Sequence, residues 1–427
     1  MFFKIFGSVL MTAFVLVLVA GSVNAGDTKT KILKYDDKGR VIGFEEVTVD
    51  DKGKIKGKAK GKAKSSGSSK TFNPDTAFEK GELIVIDPPK KFSSGVRSLG
   101  YKVIETVKIA GLNITVQRLR IPAGVTVPKA IRQLRVRYPG VEIDANHQFD
   151  PSGAVEFPKK VARALIRWTK VPATCGTGLK IGMIDAGVDV RHPALKGQKV
   201  VYKSFHKKGR KEGPKDHGTA VAGIMVGTPE WGGLLPGAEL FAANMFEYNE
   251  EGRKVGNAIG LLKGANWLIK ENVHIINLSV AGADNKVLRR IFQKALKKKL
   301  IMVAAGGNWG RADKPAYPAA YKGVVAVTAI SDRGKIYSKA NTGTYIDFAA
   351  PGVRVYTAAP GGGGRLQTGT SFAAPFITSL MGLEIVKGNV KSVTALSALL
   401  KKNVKDLGLP GRDRIFGWGF ARRKAKC

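Results

Sequence analysis

Apolar and polar positions change rhythm along the chain, and each rhythm predicts a different kind of structure. From residue 180 onward, short apolar runs alternate with longer stretches of helical period. The runs are KIGMID (180–185), ELFAANM (239–245), HIINLSV (274–280), LIMVAA (300–305) and VVAVTAI (324–330). GTAVAGIMV, AIGLLKGANWLIKE and VLRRIFQKALKKK lie between them. Continuous apolar runs joined by helices predict a mostly parallel sheet buried on both faces. Such sheets place their sites at the carboxyl ends of the strands.

Residues 78–150 follow another pattern. GELIVID, LGYKVIETVKI, ITVQRLRI and VEIDANHQF read as strands, and VPKAIRQLRVRYP as a helix with Val127, Ile131, Leu134 and Val136 on one side. This predicts a small α+β unit of too few residues to hold both a core and catalytic machinery. A further helical stretch is expected at 159–168. Residues 26–77 are different again. DDKGRVIG (36–43) recurs as DDKGKIKG (50–57), and Asp-Lys-Gly is turn chemistry. From Lys52 to Lys64 a lysine stands at every second position, followed by Ser and Gly. The expectation for 52–73 is a basic linker with too little apolar surface to offset its ordering entropy.

Composition alters this picture at three points. Lys and Arg number 71 against 33 Asp and Glu, a formal charge of +38. That field attracts polyanions weakly through the basic segment, or simply solvates a lysine-rich surface. No zinc-finger spacing or aromatic RNA-binding signature supports a specific nucleic-acid partner. Residues 1–25 have a basic start at Lys4, an apolar stretch and small residues at Val23-Asn24-Ala25, the pattern of a cleaved signal peptide. An uncleaved anchor is the alternative, and no later segment is apolar for long enough to span a bilayer. A periplasmic and a secreted destination fit the leader equally. The two cysteines, Cys175 and Cys427, either pair in an oxidising compartment or stay apart, and spacing alone does not decide.

Three motifs carry candidate chemistry. In IDAGVDVRHP, Asp185 closes an apolar run, where a carboxylate needs a partner. In DHGTAVAG, His217 opens a helix of small residues suited to close packing on a sheet. In GTSFAAP, Ser371 stands at the start of SFAAPFITSLMGLEIV, with Pro375 expected in the first turn. A helix N-terminus offers free N–H groups and a positive dipole end beside that hydroxyl. Singly these are a loop Asp, a helix-terminal His and an N-cap Ser. Jointly they supply a weak nucleophile, a base near neutral pH and a carboxylate that fixes the imidazole tautomer. The chain order Asp, His, Ser is one of three known for this constellation, and the absence of G-x-S-x-G disfavours an α/β-hydrolase. Asn308, just past the run ending in VAAGGNWG, adds an amide donor for a tetrahedral oxyanion.

IGMIDAGVDVRHP, HGTAVAG, INLSVAG, AAGGN and GTSFAAP together resemble the subtilase family of serine peptidases over residues 180–421, including FAAPGVRVYTA and DLGLPGRDRIFGWG. The resemblance implies a subtilisin-like catalytic domain at 151–427, an α/β fold whose mostly parallel sheet is covered by helices on both faces. It implies Asp185 as orienting acid, His217 as general base and acid, Ser371 as nucleophile and Asn308 as oxyanion donor. Ser279, Val280 and Ala281 would receive an extended substrate by strand addition. Gly306 and Gly307 would help to form the specificity pocket. The chemistry needs no cofactor, and no calcium ligand set is recognised. Ala186 stands where Thr is usual, Ala281 where Gly is usual, and Phe372 and Ala374 vary the serine motif; Ala281 bears on the width of the groove. The 78–150 unit resembles the inhibitory propeptide of the family, which implies protein substrates, an intramolecular inhibitor and self-cleavage between residues 146 and 160. The alternative function is a catalytically silent subtilase-fold protein that binds or adheres through its basic arm.

Overall fold

A computed structural model describes residues 28–35, 41–49, 55–61, 77–149, 162–168, 171–388, 392–424 and 427. The chain divides into two compact units, Met1–Thr71 and Phe72–Cys427. The expected signal peptide lies outside the described residues. In the first unit, β1 (Thr28–Tyr35), β2 (Val41–Val49) and β3 (Ile55–Gly61) form an antiparallel sheet in that order. The linker expected from residue 52 is therefore corrected over Ile55–Gly61. Those residues pair with β2 from Phe44↔Gly61 to Val49↔Ile55, so ladder hydrogen bonds order a segment that has few apolar side chains.

The second unit begins with β4 (Phe78–Ile86), α1 (Phe92–Ser98), β5 (Lys102–Ile109), β6 (Ile114–Arg120), α2 (Val127–Arg137) and β7 (Glu142–Phe149). One sheet face packs Leu83, Val85 and Leu119 on Phe92, Val96 and Leu134 of the two helices. The other face turns Ile84, Ile86 and Val116 toward the rest of the unit. On α2 the buried side is Val127, Ala130 and Leu134, whereas Val136 is 84% exposed. Val136 lies two residues from Leu134, about 200° around the helix, and so points away from the core. The helix expected at 159–168 is a single 3-10 turn at Ala162–Ala164 among the described residues.

The larger sheet follows. Its elements are β8 (Lys180–Asp185), β9 (Val200–Ser204), α3 (Asp216–Val226), β10 (Glu239–Asn244), β11 (Phe246–Tyr248), β12 (Lys254–Asn257), α4 (Ala258–Lys270), β13 (Ile275–Leu278), α5 (Lys286–Lys297), β14 (Ile301–Ala305), β15 (Val325–Ile330), β16 (Phe348–Pro351), β17 (Val355–Ala359), β18 (Gly363–Gln367), α6 (Thr370–Val386), α7 (Val393–Lys401), β19 (Val404–Lys405) and β20 (Phe420–Ala421). The nine-stranded order is β19-β20-β16-β15-β14-β13-β8-β10-β9, parallel throughout except β19 with β20. Alternate side chains enter two cores, as period-2 geometry requires. Ile181, Met183, Ile301 and Val303 join α3 and α6, while Ile184, Ile276, Met302 and Ala304 join α4 and α5. The α/β architecture with helices on both faces is therefore present.

A six-stranded antiparallel sheet, β11-β12-β7-β4-β6-β5, joins the 78–149 strands to the strand hairpin that precedes α4. The seam is β7 on β12, with Gly256↔Phe149 and Gln148↔Asn257. Cys175 and Cys427 pair, with Cα atoms 5.2 Å apart, so the C-terminal residue is tied to the segment before β8.

Candidate active site

Asp185 ends β8 at the carboxyl edge of the sheet and is fully buried. Its Oδ1 accepts from the Ala186 N–H at 2.6 Å and lies 2.6 Å from His217 Nδ1. His217 is the second residue of α3 and only 6% exposed. With Oδ1 on Nδ1, the imidazole carries its proton there in the neutral form and presents Nε2 as the basic nitrogen. The Phe372 ring, 5.1 Å from the imidazole, fixes its other side. Ala186, in the place where a hydroxyl residue is usual, supplies Asp185 with a backbone donor only. Asp185 Oδ2 is buried with no hydrogen-bond partner among the described residues.

Ser371 is the second residue of α6, which starts at Thr370 after Gly369. Pro375 is thus in the helix interior, not in its first turn, because the helix begins one residue before the serine. Proline there has no N–H for the Ser371 carbonyl. The Ser279 hydroxyl takes that carbonyl instead, at 2.7 Å, and Ser371 Oγ donates to the Ser279 carbonyl at 3.2 Å. Behind this pair, Asn277 Nδ2 donates to Ser279 Oγ at 2.8 Å, and Thr378 Oγ1 donates to Asn277 Oδ1 at 2.9 Å. This buried network fixes the head of α6 to the end of β13.

Asn308 follows β14. Its Oδ1 accepts from Thr370 N and Thr370 Oγ1, at 2.9 and 3.0 Å. Both acceptor positions are filled by one residue, so the amide is oriented and Nδ2 is turned away from Thr370. Nδ2 is buried with no hydrogen-bond partner among the described residues. An unmade hydrogen bond at a buried amide is costly unless a ligand completes it.

The residues expected to meet substrate are placed as follows. Ser279 is completely buried and turns its hydroxyl inward to Ser371, so any contact with a bound peptide is left to its backbone and to Val280 and Ala281. Gly306 donates to Val327 O and accepts from the Tyr345 phenol at 2.6 Å; Gly307 donates to Thr370 Oγ1 and accepts from Asn341 N. With those groups committed, the two glycines present backbone without side chains. Gly307 has φ +100°, and a Cβ there would lie 2.7 Å from that of Ala316. Burial pushes the Tyr345 phenol up to about 12, so it stays a hydrogen-bond donor through neutral pH.

Strand β7 ends at Phe149. Its ring fills the space over Gly282, where a Cβ would stand 2.6 Å from the ring, and its backbone pairs with Gly256. Polar contacts reinforce the seam. Asp144 Oδ2 accepts from Lys286 N at 2.8 Å at the start of α5, and Asn285 Nδ2 donates to Ala145 O at 2.9 Å. Glu82, fully buried, contacts Lys207 at 2.9 Å, Arg118 at 3.2 Å and Asn146 at 3.0 Å. Burial alone would raise its pKa; the Lys207 hydrogen bond and the Arg118 and Lys207 charges outweigh that and hold it below the ordinary value. Arg210 bridges Glu79 and Glu247 across the same seam.

Sequence reasoning did not single out Thr370, Asn341, β12 or the Glu82 cluster. Thr370 was within reach, since it stands next to Ser371. Strand β12 is four residues long without clear alternation, and the Glu82 contacts span up to 125 positions.

The subtilase family profile matches residues 176–419. The minor extracellular protease Epr of Bacillus subtilis is 32% identical over 260 residues, which is 59% of this chain and 39% of that protein. The major intracellular serine protease of the same organism is 31% identical over 243 residues, 53% of this chain and 75% of that protein. In fold, the chain is similar to fervidolysin from Fervidobacterium pennivorans, a keratinolytic enzyme related to subtilisin. That likeness has a TM-score of 0.68 at 20% identity, over 82% of this chain and 61% of fervidolysin. The chain thus spans well under half of Epr and about three fifths of fervidolysin. With the family profile over more than half its length, and its motifs at the carboxyl edge of the parallel sheet, the chain belongs to the subtilase family of serine peptidases.

Proposed function

We propose that this protein is a secreted or periplasmic serine endopeptidase, made as a self-processing precursor, with Asp185, His217 and Ser371 as its triad. The observation that carries the assignment is the 2.6 Å contact between Asp185 Oδ1 and His217 Nδ1, beside a serine at the head of a buried helix. In the reaction the Ser371 proton turns from the Ser279 carbonyl to His217 Nε2 as Oγ attacks the peptide carbonyl carbon. The C=O electron pair moves to oxygen, and the oxyanion accepts from Asn308 Nδ2 and from the Ser371 N–H, since its neighbours Thr370 N and Phe372 N already donate to Asn308 Oδ1 and the Gly369 carbonyl. His217 then gives its proton to the leaving amine and the C–N bond breaks. Water, deprotonated by the same imidazole, hydrolyses the acyl-enzyme. Asp185 stabilises the imidazolium without accepting its proton.

Protein or peptide chains are the substrates. Val280 and Ala281 on one side and β12 on the other would receive an extended segment, the place that β7 reaches with Phe149. Residues 78–149 act as the intramolecular inhibitor, and cleavage falls after Phe149, within 150–160. Support comes from Phe149 being wholly buried against Gly282, a position that a processed inhibitor could retain but a cleaved one ending before it could not. The leader at 1–25 directs export, and the basic segment contributes weak polyanion binding.

The test is expression of the full chain beside Ser371→Ala, followed by intact mass and casein turnover. A wild type shortened just past residue 149 and active, with a long, inert mutant, supports the proposal. Equal masses and no turnover in either chain would overturn it and favour the silent, binding-protein function.

A further inference from the structure

Asn308 is held at two levels, and only one of them involves Thr370. Thr370 fixes the rotation of the amide. The backbone that carries Asn308 is fixed by a different residue, Asn341, which is fully buried and lies 33 positions away in the segment before β16. On the near side of Asn308, the Asn341 N–H donates to the Gly307 carbonyl at 3.0 Å. On the far side, Asn341 Oδ1 accepts from Trp309 N at 2.8 Å and from Arg311 N at 3.4 Å. Asn341 Nδ2 donates to the Lys314 carbonyl at 3.0 Å, where the loop turns back. One side chain and its own amide therefore grip the residues before and after Asn308. Gly307 admits this approach because any Cβ there would stand 2.8 Å from Asn341 Nδ2.

We propose that Asn341 is a positioning residue for the oxyanion donor, setting where Asn308 Nδ2 meets the developing charge without touching substrate itself. The inference rests on the assignment of Asn308 under the proposed function. A donor displaced by about 1 Å loses much of its effect, roughly 100-fold in rate for misplacements of that size. The loss concerns charge present only in the transition state, so it falls on kcat and leaves KM in place.

The experiment is a double-mutant cycle on enzyme matured from the full chain, with active sites counted by a serine-directed reagent. Asn308→Ala, Asn341→Ala and the double variant are compared with wild type on a peptide substrate. The expected result is a kcat roughly 10- to 100-fold lower for Asn341→Ala with KM within about 2-fold, and less than about 3-fold further loss when Asn308 is already Ala. Fully multiplicative losses, or a loss carried by KM, would show a structural role only and overturn the proposal. If Asn308→Ala lowers kcat while Asn341→Ala does not, the proposal fails and the oxyanion assignment stands; if Asn308→Ala changes nothing, the oxyanion assignment itself fails. Should Asn341→Ala not mature, Asn341→Ser takes its place in the same cycle. Ser keeps the backbone donor to Gly307 but not the reach to Trp309, and self-cleavage of the precursor supplies the rate.

Discussion

Ser279 and Ser371 exchange hydrogen bonds, each hydroxyl donating to the other residue's carbonyl, at 2.7 and 3.2 Å. The two bonds are not equivalent. The Ser279 hydroxyl takes the place of the N–H that Pro375 lacks, whereas in the proposed reaction the Ser371 hydroxyl leaves its acceptor. Ser279→Ala therefore strands a buried carbonyl, at a cost of about 1–3 kcal/mol. Ser371→Ala keeps the shorter bond. Thermal unfolding of the two full-length variants should show a lowered Tm for Ser279→Ala and a Tm close to wild type for Ser371→Ala. Under the proposed function wild type cleaves itself, so the Ser279→Ala effect is read as the double variant Ser279→Ala/Ser371→Ala against Ser371→Ala alone.

Asn308→Ala removes the buried amide donor without touching the proposed triad. A kcat lower by about 100- to 1,000-fold with KM little changed is expected, a magnitude taken from subtilisin itself. Steady-state kinetics on active-site-titrated enzyme checks it. Equal losses in kcat and substrate affinity would show instead that Asn308 shapes the groove.

The seam between residues 78–149 and the rest of the unit gives a pH dependence with a definite sign. Glu82 has its pKa lowered below 4.5 in the folded chain. A depressed carboxylate contributes stability that is complete above its unfolded value and is lost as pH falls through the folded one. Removing one partner from a buried ionic cluster costs about 3–5 kcal/mol. In the Ser371→Ala precursor, Glu82→Gln should therefore lower Tm at pH 7. The gap to the Glu82 form should close as pH drops below about 4.5. A gap independent of pH would mean that shape, not charge, is what Glu82 contributes.

Much of the fold was legible because burial wrote it into the sequence. KIGMID, LIMVAA and VVAVTAI are apolar without alternation, as central parallel strands must be, and each became a strand within two residues of its expected ends. Asp185 and His217 were legible because each sits at a strand or helix end inside a short motif. Three things were not. The strand Ile55–Gly61 has alternate lysines and only Ile and Ala as apolar residues, so its order comes from ladder pairing that composition does not reveal. Pro375 reads as a first-turn proline in the motif alone, where the serine marks the helix start, but the helix begins at Thr370. The partner that makes an interior proline tolerable, Ser279, lies 92 positions away. Asn341 has no motif near it that marks chemistry, and its importance rests on contacts to a loop about 30 residues upstream.

Phe149 and Gly282 define the last prediction. The ring is wholly buried, and the missing Cβ of Gly282 is the space it occupies. Truncating a buried Phe costs about 3–5 kcal/mol. Adding a methyl at Gly282 forces a 2.6 Å contact that the ring or the strand must relieve. In the Ser371→Ala precursor, Phe149→Ala and Gly282→Ala should each lower Tm. The pair together should lose less than the sum, because the new methyl enters the space the ring has left. The matured form that the proposed function predicts gives the converse test: without residues 78–149, Gly282→Ala has no ring to meet, and its Tm should lie near that of matured wild type. A matured Gly282→Ala enzyme as destabilised as its precursor would show that the glycine serves the catalytic fold rather than the strand that covers it.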